Sequence, residues 1–358
     1  LILFAILLAL GVWGWAGMGQ ASFVRTLLSG LTLGALYFMV AAGLTLIFGL
    51  MDVLNFAHGT MFMVGAYLGW QFYTNPTFLF GLAPLIAAFL VGLSLNRPLL
   101  PLVVGWPIPA AWQTPLRRLL VLAGIVIGII AVWGVDFLKL AETAMVAAMV
   151  AGNPLAEATP QEPLATFWFR PLLLALAGAL IAVAGDRPGD TTQVVHRPAA
   201  RRGWIMVVVM IILTIILTLA REAGPIAVLK MDANLRFFLA LVVGALGGAG
   251  LGAVIETTLI RPLYDRPLYQ VLGTLGLAYV LLEVTQLLWT PLAYQMSRPP
   301  LFAGPGKAAN LLAWLRDWNT TVDIFGVTFP TYRLFIIALG GVMPVSYTHL
   351  TLPTIYSV

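Results

Sequence analysis

Of the 358 residues only 9% are charged and 61% are hydrophobic. Soluble domains carry roughly a quarter charged residues, so the composition excludes an ordinary water-soluble globular protein and favours one transmembrane domain. The net charge of +5 sits in short clusters between apolar runs, a pattern that orients membrane helices and offers no nucleic-acid surface. The complete lack of cysteine removes disulfides, thiolate catalysis and Cys-ligated metals together.

In chain order, residues 1–16 are apolar without a basic flank and read as the remnant of a first spanning helix, so the amino end is expected to be incomplete. Residues 22–51 form the second helix, with Gly30 and Gly34 four apart, a spacing that permits close helix packing. Within it, residues 31–51 are unbroken apolar sequence, about 30 Å of helix at 1.5 Å per residue, enough for a bilayer core. Asp52, Asn55 and His58 then break the run, and apolar sequence resumes with Gly65 and Gly69 again four apart. A polar break between apolar segments has two physical homes. It is either a turn at the membrane surface or a discontinuous helix lining a solute path, with Gly49 and Gly59 allowing the bend.

Residues 78–95 and 119–133 are further helices, with Arg117 and Arg118 just ahead of the second. Residues 134–163 are acidic and read as an outer loop, residues 167–184 span again, and residues 186–202, with four arginines, read as an inner loop. Residues 204–219 and 237–256 are helices separated by a mixed loop containing Arg221, Lys230 and Arg236, which places Arg261 and Arg266 inside with the arginine-rich loop. Residues 270–288 span outward and residues 291–330 form a long outer loop, with Trp314 and Trp318 suited to the interface. Residues 332–343 begin a last, short helix; about ten apolar segments are expected in all.

Gly244, Gly248 and Gly252 recur every four residues inside an apolar run. A dinucleotide-binding turn needs a strand before it and an amphipathic helix after it, so small-residue helix packing is the expected role. Glu256 continues that stripe to the inner end, near Arg261. Glu283, with Gln286 on the same helical face, lies within an apolar run; it either lines a path or pairs near the outer interface. Metal chemistry usually needs three or more converging ligands, and His196 is the only other histidine before the tail. No HExxH, nucleophile elbow or Walker sequence is present, so no enzyme chemistry is expected.

Two strings carry a resemblance. LTLGALYFMVAAGLTLIFGLMDVLNFAHGTMFMVGAYL, residues 31–68, resembles the first part of the inner-membrane permease subunits of bacterial ABC importers for branched-chain amino acids, the LivH-like family, and is also similar to the urea and amide branch. LIRPLYDRPLYQVLGTLGLAYVLLE, residues 259–283, resembles that family's later segment. The resemblance implies an all-α, polytopic transmembrane helical bundle of ABC-importer permease type in the bacterial inner membrane. It further implies a solute path bordered by Asn55, His58 and Gly59, with Thr274 of the second string near it. Glu283 joins the path candidates as an ionisable group in an apolar run, and four-residue spacing predicts close helix packing at Gly30, Gly34, Gly244, Gly248 and Gly252. Implied partners are a second homologous permease, two ATPase subunits, a periplasmic solute-binding protein and membrane lipid. No cofactor is expected on this chain, ATP being used by the partner subunits. On this reading residues 1–343 are the permease domain, with an enlarged region at 74–258. The tail, residues 344–358, is expected to be non-native and to replace a coupling loop, so His349 has no role. Two alternatives stay open: a urea or short-amide permease, and an ATPase-independent membrane enzyme or scaffold using Asp52, His58 and Glu283.

Overall fold

A computed structural model describes residues 2–95, 110–137, 141, 164–185, 197–290, 294 and 296–342. The expected arginine-rich loop up to residue 196, most of the acidic loop and the tail lie outside the described residues. The helices are α1 (Ile2–Gly17), α2 (Gln20–Met51), α3 (His58–Thr74), α4 (Thr77–Ser94), α5 (Ala110–Val132), α6 (Phe169–Gly185), α7 (Arg197–Lys230), α8 (Ala233–Ile255), α9 (Pro267–Trp289), α10 (Leu311–Asp317) and α11 (Thr331–Val342). Among the described residues six are long and apolar enough to cross a bilayer: α2, α4, α5, α7, α8 with its continuation to Leu263, and α9. α1, α6 and α11 contribute shorter apolar stretches. The chain is a helical, multi-pass membrane protein.

Three expectations are corrected by the fold. Arg221 and Lys230 do not lie in a loop: α7 runs unbroken for 34 residues, and the link to α8 is Met231 and Asp232. Asp232 caps α8, its carboxylate accepting from the N–H groups of Asn234 and Leu235. Arg221 survives inside an apolar helix because its guanidinium lies 3.8 Å over the Phe167 ring, an attraction that offsets part of its desolvation. Arg197, Arg201 and Arg202 belong to the first turns of α7 rather than to the preceding loop.

The third correction concerns residues 291–330, which are not an open loop, so the chain is not wholly α-helical. Strands β1 (Gly304–Ala308), β2 (Asn319–Ile324) and β3 (Val327–Pro330) form a sheet in that order, β1 parallel and β3 antiparallel to β2. Phe325 and Gly326, both at positive φ, make the two-residue turn of the hairpin. Asp323 accepts from the Gly326 N–H and pairs with Lys307, and the two bonds hold its carboxyl below the usual carboxylate range, Lys307 contributing most. Trp314 packs on Phe302, which also meets Phe237, Tyr332 and Phe335.

The chain divides into two compact units. The first comprises Leu1–Gly69, Asp232–Thr285 and Met296–Val358. Its core joins Val53, Ala57, Met61, Ile255 and Ile260. α3 and α8 cross at glycine: a Cβ on Gly65 would lie 2.8 Å from the Gly244 carbonyl oxygen, and one on Gly244 2.7 Å from that of Gly65. The second unit comprises Trp70–Met231 and Gln286–Gln295, with its helices packed in the order α5, α6, α4, α7. There α4 and α6 meet backbone to backbone at Gly92 and Gly178.

Candidate functional site

The polar break sits in the first unit. α2 ends at Asp52, whose φ of 55° is the left-handed conformation that aspartate tolerates better than most residues, and its N–H donates to the Phe48 carbonyl. The chain therefore bends at Asp52. Gly49 and Gly59 lie in helix with open space where a Cβ would stand.

From Asp52 the backbone runs without regular structure to His58, the first residue of α3. Burial alternates along this segment: Val53, Asn55 and Ala57 are buried, and Asp52, Leu54 and Phe56 are exposed. Buried backbone groups need partners. Asn55 supplies two, its Oδ1 accepting from the Ala57 N–H at 3.0 Å and its carbonyl from the His58 N–H at 3.2 Å. Thr274 supplies the next: its Oγ1 accepts from the Phe56 N–H at 3.3 Å. The same oxygen lies 3.4 Å from the Leu54 carbonyl and 3.1 Å from that of Val271, either of which can take its proton.

Thr274 is fully buried on α9. It lies seven residues, about 10 Å at 1.5 Å per residue, from the start of that helix at Pro267. One turn earlier on the same face is Gln270, also buried, whose Nε2 has no hydrogen-bond partner among the described residues. Nothing in the apolar periodicity singles out Gln270, because one amide at the start of a spanning run reads as an interface residue.

The His58 imidazole lies beside the Val40 backbone of α2. Gly43, one turn along, makes room for it: a Cβ there would lie 2.5 Å from His58 Nε2. Gly43 is a positioning residue that a four-residue glycine pattern does not reveal. Gly59 is exposed beside His58. Glu283 is exposed and stands nine residues beyond Thr274, about half a helical turn round α9. The structure thus brings Asn55, His58 and Thr274 to one segment and places Glu283 on the opposite face of α9.

Of the packing glycines, Gly244 and Gly248 face Gly65 and Met61 of α3, and Gly252 lies against the Met61 sulfur. A Cβ at Gly30 or Gly34 would meet nothing within 4 Å. Beyond Gly252, α8 changes pitch. Glu256–Ile260 form a π-helical turn and Arg261–Leu263 a 3-10 turn, and the Glu256 carboxylate accepts from the Tyr264 hydroxyl at 2.9 Å. π-turns inside helices often mark functional sites. This one packs Ile260 into the core that holds the polar break.

No protein-family profile matches the chain, and no solved structure matches it. Curated relatives match locally. The chain is 39% identical over 46 residues to the high-affinity branched-chain amino acid transport system permease protein BraD of Pseudomonas aeruginosa, covering 13% of this chain and 15% of that protein. It is 37% identical over 49 residues to the corresponding permease proteins LivH of Salmonella typhimurium and Escherichia coli, covering 14% of this chain and 16% of each relative. The matched stretch therefore spans about a sixth of those relatives' length, and within it the chain is homologous to transport permease proteins.

Proposed function

We propose that the chain is the membrane-spanning permease of an ABC importer of the bacterial inner membrane, passing branched-chain or related small amino acids to the cytoplasm. One observation supports this reading most: Thr274, from the second resembling string, hydrogen-bonds the backbone of the first string at Phe56, 218 positions earlier. Two motifs expected to border one solute path thus support each other physically. The contact about 10 Å inside the end of α9 favours a broken helix within the bilayer over a turn at its surface.

In this mechanism no covalent chemistry occurs on the chain. Asn55 and Thr274 hold an irregular backbone whose polar groups would otherwise be orphaned in a low-dielectric region. The His58 imidazole, half-buried between α2 and α3, gates or contacts the solute. The ATPase partners switch this chain and its second, homologous permease between inward and outward openings, and the periplasmic binding protein delivers the cargo.

The test is uptake into proteoliposomes containing the full-length protein with the ATPase, second permease and binding protein proposed as its partners. Leucine uptake that requires both ATP and the binding protein is expected. Uptake displaced by unlabelled urea but not by isoleucine would move the cargo to the amide branch. Uptake indifferent to ATP and to the binding protein would overturn the importer reading.

A further inference from the structure

The short helix α10, beside the three-stranded sheet of the first unit, carries an apolar face outside any membrane span. At seven residues, about 10 Å, α10 is far too short to cross a bilayer. Yet Leu311 is 53% exposed, Leu312 78% and Leu315 54%, and Trp318, which ends the helix in the left-handed conformation, is 42% exposed. At about 100° per residue these four side chains fall on one arc of the helix. Arg316 and Asp317 lie on the side away from Leu311 and pair with each other in the open. Trp314 occupies the flank between the two and stacks on Phe302, with ring centroids 6.3 Å apart. The helix thus turns one side to the protein, one pair of charges outward, and one apolar arc to nothing among the described residues.

Phe302 fixes the level at which α10 sits. Its ring meets Phe237 of α8 and Phe335 of α11, each four residues, about 6 Å, from the start of its helix at Ala233 and Thr331. The neighbouring Leu301 N–H donates to Asn234 Oδ1 in the first turn of α8 at 2.8 Å. Both apolar helices therefore begin at this end, and Phe302 sits where they leave the hydrocarbon. Trp314, one ring away, holds α10 at the same height. The polar layer of a bilayer is roughly 5–8 Å deep on each side, about the radius of a helix with its side chains.

We propose that α10 is an in-plane membrane anchor, with Leu311, Leu312, Leu315 and Trp318 seated in the boundary between lipid headgroups and acyl chains beside α8 and α11. A helix lying in that layer needs an apolar face toward the chains and charges toward water, which is the division α10 shows. Its occupant is lipid rather than a protein partner because the face is held at the height where two apolar helices of the same unit enter the bilayer. The anchor clamps the small sheet against the membrane surface, and it does so whatever solute the chain carries.

The experiment uses the absence of cysteine from the chain. Leu312→Cys, Leu315→Cys and Arg316→Cys are each spin-labelled in the full-length protein in vesicles of phosphatidylethanolamine and phosphatidylglycerol. Collision with oxygen, which concentrates among acyl chains, is compared with collision with a water-soluble nickel chelate. Labels at 312 and 315 should favour oxygen severalfold more than the label at 316, at a depth of about 5–10 Å into the boundary. Two leucine positions are used so that loss of fold in one variant leaves the other as a test. Equal preference at all three positions would put the leucines in water and overturn the proposal. Protection of 312 and 315 from both reagents would overturn it too, because protein and not lipid would then cover the face.

Discussion

Gly92→Leu is expected to abolish recovery of folded protein. A Cβ at this position would lie 2.1 Å from the Ala175 carbonyl oxygen and 2.7 Å from the Ala179 nitrogen, both backbone atoms of α6. The contact is reciprocal, since a Cβ on Gly178 would lie 2.5 Å from the Phe89 carbonyl oxygen. No rotamer change relieves a clash between a side chain and a facing backbone, so the two helices must separate along their length. Overpacking by a methylene or two in a well-packed core costs about 1–3 kcal/mol, and a leucine against backbone exceeds that range. Gly65→Leu and Gly244→Leu should act alike in the first unit, where the corresponding distances are 2.8 and 2.7 Å. Gly34→Leu is the control, since its Cβ meets nothing within 4 Å. Size-exclusion profiles and thermal melts in detergent should show collapse for Gly92→Leu and near-native behaviour for Gly34→Leu. A native melt for Gly92→Leu would refute the α4–α6 crossing.

The second large effect is on transport. Asn55→Ala combined with His58→Ala should cut leucine uptake about tenfold or more while leaving membrane insertion intact. Removing the Asn55 amide leaves the buried Ala57 N–H without its acceptor, at a cost of about 1–3 kcal/mol borne by the irregular segment alone. Removing the imidazole takes away the ring that packs against Gly43 of α2. Glu283→Gln separates two routes for the solute. If the path follows the Thr274 face of α9, uptake by this variant stays near that of the unaltered protein. If uptake falls as far as in the double variant, the path runs along the opposite, exposed face. Unchanged uptake in the Asn55/His58 double variant would remove the polar break from the path altogether.

The contrast between what was and was not legible follows from how far each signal reaches along the chain. The polar break is a local departure from hydropathy, so Asp52, Asn55 and His58 stand out in the sequence. Its bracing by Thr274 is not local, and a threonine in a spanning helix has an equally ordinary role bonding its own helix, as Thr274 also does toward Val271. The stripe at Gly244, Gly248 and Gly252 is periodic and could be read. Gly92 and Gly178 are single glycines among alanines and leucines, so the closest helix crossing left no pattern. Gly30 and Gly34 show the converse, a correct spacing facing open space within this chain.

Charged residues misled wherever a tertiary contact shelters them. Arg221 reads as a loop residue because an arginine is costly in an apolar helix, yet Phe167 covers it and α7 continues. The sheet at 304–330 was hidden for a different reason. β1 is GPGKA, with no apolar alternation and little β-propensity, and it is recruited through β2 rather than by its own side chains. Trp314, read as suited to the interface, also stacks on Phe302, a contact between distant positions that hydropathy does not show.

Whether the polar break borders the solute path can be tested directly, because the chain has no cysteine of its own. His58→Cys, as the sole thiol in the assembled transporter, is to be labelled with a small charged thiol reagent in the presence and absence of leucine-loaded binding protein and ATP. A path residue should react slowly compared with a surface cysteine at Asp265, and its labelling rate should change when leucine is transported but not when urea is added. A His58→Cys thiol that reacts as fast as the Asp265→Cys control, at a rate indifferent to leucine, would place the break at the membrane surface and remove it from the path.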